Sequence, residues 1–493
     1  MALPESNRRT AIAKALTWLL GILSVLAIGH WFYLGGRRFF YPYEMLWMEG
    51  SMLEQVLRIL HGKGLYVAPS VNYVPWLYQP VYYYATALIT WVSGLTFPAA
   101  RILSVASMIG TGAVIAYVVY RETGKSKFWS LIGAGLFFIS YGKVGYCFEV
   151  ARVDSLFLFL LVAGSVVMVY AKSVWMVIFG AVLLALSYFT KQSTMVFLPG
   201  LLLLLYFRNK KNAVIFLISI VVLILGGTLL LNSATSGWYG YYTLDIPSAK
   251  RKTFRWDEGI TEFFGYVILR CWAITIGVQI VSVRNAWRKS FAAFLRSNEA
   301  IFSMLLLSAL ATAFLGLGNE GGGKNVLLPL AAYSAILLPI AVARSIKTST
   351  KAKQQVIWLS LVAIQFFALV SDPYLHPRNI PTKADIRNQE VFIDSLRATS
   401  GEVWVPYHSF MPHMAGKETF AELRAYGDVL LMEDSTAHRL KHDLDSALAA
   451  HKFSAIYDDM PDSFPGYRLL YGAINLHKAQ ALADTLIYVY LPK

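Results

Sequence analysis

The stretch FEVARVDSL (148–156) sets Glu149, Arg152 and Asp154 within six residues, between two apolar runs. An arginine between two acids can hold a phosphate while Asp154 or Glu149 orients an acceptor or the arginine itself. Plainer readings stand beside that one. Glu149 and Arg152 are three apart, the spacing of a helical ion pair, and charges at a membrane edge often only anchor a helix. A further acid, Glu49, opens segment 51–61, whose apolar residues at 52, 53, 56, 57 and 60 have helical spacing. This predicts an amphipathic helix resting on the membrane. A carboxylate at its start can serve as general base toward a hydroxyl, or can merely cap the helix.

Cations complete the set. TKQS (190–193) interrupts an apolar stretch, and Lys191 can reach water or bind an anionic headgroup. NEGGGKN (319–325) places Lys324 beside three glycines, which permit close backbone approach to a phosphate and also make ordinary tight turns. Segment 236–256 mixes aromatics with Lys250, Arg251, Lys252 and Arg255, suiting either a clamp on a sugar or lipid phosphate or an interfacial loop. His408 and His413 lack a nearby third ligand, so with Asp458 and Asp459 they read as surface or core rather than metal site. No P-loop, dinucleotide fingerprint, zinc-protease or nucleophile-elbow motif is present. Cys147 and Cys271 cannot make a disulfide framework.

The positioning elements are membrane helices. The 493 residues are 56% hydrophobic and 15% charged, with mean hydropathy +0.51. Candidate spans are 13–33, 101–120, 128–146, 154–171, 174–190, 193–207, 212–231, 262–283, 300–316, 325–344 and 355–371, about eleven in all. The first follows Arg8, Arg9 and Lys14 and reads as a retained signal anchor. The net charge of +15 lies outside the tail, since 373–493 carries 12 Lys/Arg against 15 Asp/Glu. Basic charge confined to short loops points to positive-inside topology and away from nucleic acid. With a cytoplasmic N-terminus and the Tyr- and Trp-rich 78–96 lying at the interface, the clusters 121–127, 208–211, 284–289 and 344–353 all fall inside. Arg37 and Arg38, on the outer side, are a local exception that a role in serving the site would explain. That parity puts 34–100, 147–153, 190–193, 232–261, 317–324 and everything after 371 on the outer face. In the tail, 403–407, 454–459 and 485–492 read as strands, and 417–427 and 436–451 as helices. Two domains are expected: 1–371 in the membrane, and a small α/β domain, 372–493, outside it.

Single span, long outer loop with an early acid, second outer junction with an acid, many spans and an outer tail: this order is similar to the GT-C superfamily of integral-membrane glycosyltransferases. Its members include protein O-mannosyltransferases and the lipid A aminoarabinose transferase. MEGSMLEQVLRILHGKGLY, YQPVYYY, ARVDSLF, TKQS and GGGKNVLLP resemble one uncharacterised bacterial branch, and the likeness covers about 13–371. The family usually has Asp at the first-loop acidic position; here Glu49 stands there, after Met48, and Glu44 is a nearby alternative. The resemblance implies a polytopic α-helical GT-C fold. It implies inverting transfer of a sugar from a polyprenyl-phosphate donor to a hydroxyl of a glycan, lipid or protein acceptor, on the outer face of a bacterial inner (plasma) membrane. Glu49 is then the general base and Asp154 the second acid. Arg152, Lys191 and Lys324 take the donor phosphate, supported by Glu149, Tyr78 and Tyr82, with the aromatics of 78–84 admitting the lipid tail. No cofactor is required, and a divalent metal between the acids is left open. The rival reading is a transporter or flippase for a lipid-linked glycan, which calls for ionisable residues deep within the spans; Arg270 is the chief one here.

Overall fold

A computed structural model describes residues 5–493 except 47, 320, 350, 371–379, 460–463 and 477–484. The chain is mostly helical. It begins with α1 (Glu5–Phe39), α2 (Met48–Leu60), α3 (Val81–Ser93), α4 (Phe97–Glu122), α5 (Lys127–Ile139), α6 (Val153–Tyr170), α7 (Val174–Tyr188), α8 (Leu198–Arg208) and α9 (Lys210–Ala234). Four apolar helical stretches follow: Trp256–Lys289, Asn298–Leu317, Lys324–Lys347 and Ala352–Leu369. Eight helices among the described residues are long and apolar enough to cross a membrane; α7 and Gln192–Arg208 are shorter apolar helices. The protein is therefore a multi-pass membrane protein, as the apolar runs indicate.

Polar caps set where these helices start. Thr96, Ser126, Ser173, Asn209 and Ser297 each accept a backbone N–H of the first turn. Burial differs sharply between helices of similar hydropathy. Lys324–Lys347 is 89% buried across its most apolar window and forms the centre of the bundle, while Lys210–Ala234 is 11% buried and turns Val222, Leu229 and Leu230 outward. An apolar helix exposed in this way belongs against lipid.

Three expected segments take definite form. The run 128–146 is not one long helix: α5 stops at Ile139, a 3₁₀ turn covers Ser140–Gly142, and Gly145 (φ +81°) and Tyr146 (φ +55°) redirect the chain. Segment 78–96 forms α3, whose 13 residues extend about 20 Å, short of the ~30 Å hydrocarbon core. The amphipathic segment does form α2, yet it does not rest on the membrane. Every residue from Met48 to Val56 is buried, and Leu53 packs with Phe97, Ala100, Ala151 and Phe410. The tail, rather than lipid, covers it.

The C-terminal region carries a four-stranded sheet ordered β1 (Val403–Trp404), β2 (Ala455–Asp458), β4 (Thr485–Pro492), β3 (Tyr467–Leu476). β1 and β2 are parallel, and β4 is antiparallel to both its neighbours. The helix expected at 436–451 is Ser435–Ala449; the one expected at 417–427 is Leu423–Leu430, because Glu422 caps it. Helix Lys383–Ala398, with the capping box of Thr382 and Asp385, and strand β3 were not anticipated. The expected domain boundary at 371/372 lies outside the described residues. Trp404, Phe420, Phe453 and Tyr490 share one apolar cluster with Met52, Tyr66 and Tyr83 of the first loop and α3.

Candidate active site

The site is built where the end of α1, the start of α2, the start of α4 and the loop before α6 converge. Arg101, in the first turns of α4, reaches Glu49 with two parallel bonds: Nε donates to Oε1 at 2.9 Å and Nη2 to Oε2 at 2.7 Å. Both side chains are fully buried. The backbone N–H of Met45 and of Ala151 donate to the same carboxylate, each at 2.7 Å. The rest of the guanidinium is spent on the chain after α1, with Tyr41 O at 2.5 Å and Tyr43 O at 2.7 Å. Burial alone would raise the Glu49 carboxyl; the Arg101 charge and hydrogen bonds, with the two backbone donors, hold it below the usual range instead. As placed, Glu49 has no lone pair turned toward an acceptor. It is a four-bonded tie between the first loop and residue 151.

FEVARVDSL is divided among three ties. Ala151 binds Glu49. Glu149, also fully buried, accepts from Arg38 at the end of α1 and from the Tyr141 hydroxyl. Arg38 is thereby part of the site's scaffold. Arg152 and Asp154 stay together at the head of α6, with Nε 3.3 Å from Oδ2. Glu149 and Arg152 do not make the helical pair their spacing allows.

Asp154 is the point of convergence. Its Oδ1 accepts from Lys191 Nζ at 2.6 Å and from Asn325 Nδ2 at 2.8 Å. TKQS, GGGKN and FEVARVDSL thus meet on one carboxylate. The Lys191 side chain is 14% exposed and that of Arg152 10%, against 1% for Asp154, so the cations lie nearer the surface than the acid. Tyr78 stands beside Arg152 and bonds its guanidinium. Tyr82 is fully buried, while Tyr84, 55% exposed, faces outward from α3.

Lys324 is exposed, and its Nζ lies 4.5 Å from the Tyr266 ring centroid, a ring that Lys143 also approaches at 5.9 Å. The glycines before it make a fold-back: a Cβ on Gly322 would sit 2.0 Å from the Gly316 carbonyl oxygen, and Gly321 has φ +76°. That turn is what brings Asn325 to Asp154. Glu44 lies apart from this centre. Its Oε1 accepts from Gly50 N at 3.1 Å, and its Oε2 is 2.7 Å from His408 Nδ1, whose Nε2 is 3.0 Å from Asp459. His408 is buried and satisfied between carboxylates, and His413 lies further out.

Among the described residues no group of three or more His, Cys, Asp or Glu is placed to hold a metal ion. Glu49, Glu149 and Asp154 are each taken up by basic partners. Sequence reasoning does not reach Arg101, Asn325, Lys143 or Tyr266. Arg101 gives a weak signal, a lone cation at the start of an apolar run; Asn325 lies in GGGKNVLLP beside the more conspicuous Lys324.

No family model and no curated protein matches the chain. Solved structures do. The fold is similar to ArnT from Cupriavidus metallidurans bound to undecaprenyl phosphate, with TM-score 0.61 and 12% identity, covering 96% of this chain and 97% of that one. It is similar also to the archaeal oligosaccharyltransferase AglB from Archaeoglobus fulgidus in complex with an inhibitory peptide and a dolichol-phosphate, with TM-score 0.52 and 11% identity, covering 91% and 69%. The same enzyme in complex with zinc and sulfate gives 0.51 and 12%, covering 90% and 68%. The chain therefore shares the fold of these structures, and the shared fold extends through the C-terminal region, beyond residues 13–371.

Proposed function

We propose that the protein transfers a sugar from a polyprenyl-phosphate donor to an acceptor hydroxyl, with inversion, on the outer face of a bacterial inner membrane. The convergence of Arg152, Lys191 and Asn325 on Asp154, with Lys324 next in the chain, is the observation that carries this reading. The arrangement stores two cations against one acid at the start of α6, the end of a membrane helix, where an isoprenoid tail would stay in lipid and a phosphate meet water. ArnT and AglB, whose structures hold undecaprenyl phosphate and dolichol-phosphate, lend the fold.

In this reading the donor's phosphodiester draws Arg152 and Lys191 away from Asp154. Freed of them, Asp154 accepts the acceptor's hydroxyl proton. The hydroxyl oxygen bonds the anomeric carbon as the bond from that carbon to the phosphate oxygen breaks. The electron pair leaves with the lipid phosphate, where Arg152, Lys191 and Lys324 balance its added charge. Glu49, the base that the family resemblance implies, belongs in this reading to the framework, because both its oxygens already accept two hydrogen bonds each. Residues 1–371 form the transferase part; 372–493, extracytoplasmic, close over the first loop. The partners are the lipid-phosphate donor, a glycan, lipid or protein acceptor and the surrounding lipid.

The test is a panel of polyprenyl-phosphate sugars offered to the purified protein in liposomes with cell-envelope acceptors. Transferred sugar is read together with the configuration of the new bond. Inversion with at least one donor is expected. Transport of the lipid-linked sugar across the bilayer without bond cleavage would replace the transferase by the flippase.

A further inference from the structure

A cavity of about 570 Å³ lies between α2, the end of the first loop and the C-terminal region, and none of Asp154, Arg152, Lys191 or Lys324 lines it. Four cations do: Arg58, Lys63, Lys417 and Lys452. Among the described residues none of these four forms a salt bridge. By contrast, Arg38 is paired with Glu149, Arg101 with Glu49, Lys191 with Asp154 and Lys250 with Asp428.

Three of the four are fixed by neutral partners. Arg58 donates from Nε and Nη2 to Gly64 O at 3.2 and 3.0 Å, and stacks 3.7 Å from the Tyr73 ring centroid. Lys417 Nζ is held by the carbonyls of Thr399 and Gly401 at 2.6 and 2.9 Å. Lys452 Nζ donates to Asn72 Oδ1 at 3.0 Å. Carbonyl and amide oxygens orient a cation without cancelling its charge, so the cavity keeps a preorganised positive field. Three acids share the wall: Glu402, Glu418 and the buried Glu54. Burial pushes the Glu54 carboxyl up to about 7, so near neutrality it adds less than a full negative charge and can donate as well as accept. The volume fits the ~300–1,000 Å³ of small-ligand sites.

We propose that this cavity binds the acceptor through a saccharide bearing a phosphate or carboxylate group. The anion is held by Arg58, Lys63, Lys417 and Lys452, and ring hydroxyls bond Glu54, Asn72 and Thr419. The inference rests on the transferase reading for its role. α2 links the two places, with Glu49 at its start and Glu54 one and a half turns on. An acceptor seated here is next to the helix that anchors the site.

The experiment is binding of glucose 6-phosphate, glucose and inorganic phosphate to the full-length purified protein, with undecaprenyl phosphate binding measured in parallel. Lys63→Glu and Lys452→Glu alter exposed or half-exposed side chains, and a melting curve checks their folding. Saturable binding of glucose 6-phosphate is expected, with glucose and inorganic phosphate weaker. Each charge reversal should weaken it about tenfold, and neither should alter undecaprenyl phosphate binding. Absence of saturable glucose 6-phosphate binding, or binding untouched by both reversals, overturns the cavity proposal. An equal response to inorganic phosphate overturns its saccharide part. Failure of the wild type to bind undecaprenyl phosphate, with cavity binding intact, sinks the transferase reading and leaves an anionic-saccharide site.

Discussion

Asp154 and Lys191 start from different helices, 37 positions apart, and meet at 2.6 Å where α6 begins. The lysine is the more exposed partner, so it can turn to an arriving phosphate without the acid having to move. Lys191→Met should therefore lower transfer by about 10²–10³-fold, the usual loss for one preorganised donor. Lys191→Arg, which keeps the charge, should recover part of it. The readout is kcat in the donor assay, and equal rates for wild type and Lys191→Met would remove the lysine from the chemistry.

Glu49 and Arg101 make a different kind of pair, sealed and filled on every side. Replacing Arg101 with Met strands a buried carboxylate, and breaking such a pair costs about 3–5 kcal/mol. Arg101→Met should melt well below wild type in detergent. The double variant Glu49→Leu/Arg101→Met should melt above that single variant, because no orphan charge remains. If Glu49→Gln kept the wild-type melting temperature while losing all transfer, Glu49 would return to the role of base.

Glu54 predicts a pH dependence with a definite sign. Burial raises its carboxyl from 4.5 to about 7. Between those values the folded state holds the proton more tightly than the unfolded chain, so stability from this group falls as pH rises through that window. Above it both states are ionised and the whole penalty, roughly 3 kcal/mol, remains. Glu54→Gln should thus melt higher than wild type at about pH 8 and level with it at about pH 4. The same gap at both pH values would show that the carboxyl is not desolvated in the way its surroundings imply.

Much of this was legible in sequence, and the parts that were not share a cause. Apolar runs, caps and the basic loops mark the helices directly, and the motifs around Asp154, Lys191 and Lys324 do come together. The partners of Glu49 and Glu149 did not show, because Arg101 and Arg38 lie 52 and 111 positions away along the chain. Helical spacing pairs Glu149 with Arg152; the loop, bent at Gly145 and Tyr146, separates them. α2 read as a membrane-surface helix because its apolar face was plain while the tail that covers it begins more than three hundred residues later. α5 read as too long because its neighbouring turn is itself apolar and aromatic.

The sidedness has its own check. Cys147 and Cys271 are buried, so the wild type should give little background with an impermeant thiol reagent. Lys63→Cys in the exposed first loop should label in intact cells, and Lys125→Cys, between α4 and α5, only after permeabilisation. The reverse pattern would place the Asp154 site in the cytoplasm.

The central claim is that Asp154 takes a proton while the sugar–phosphate bond breaks. The most direct measurement is the release of free polyprenyl phosphate from an accepted polyprenyl-phosphate sugar, for wild type and Asp154→Asn in the same liposomes. The account predicts acceptor-dependent release by the wild type, and near-complete loss in Asp154→Asn with donor binding retained. Release at the wild-type rate by Asp154→Asn would contradict it.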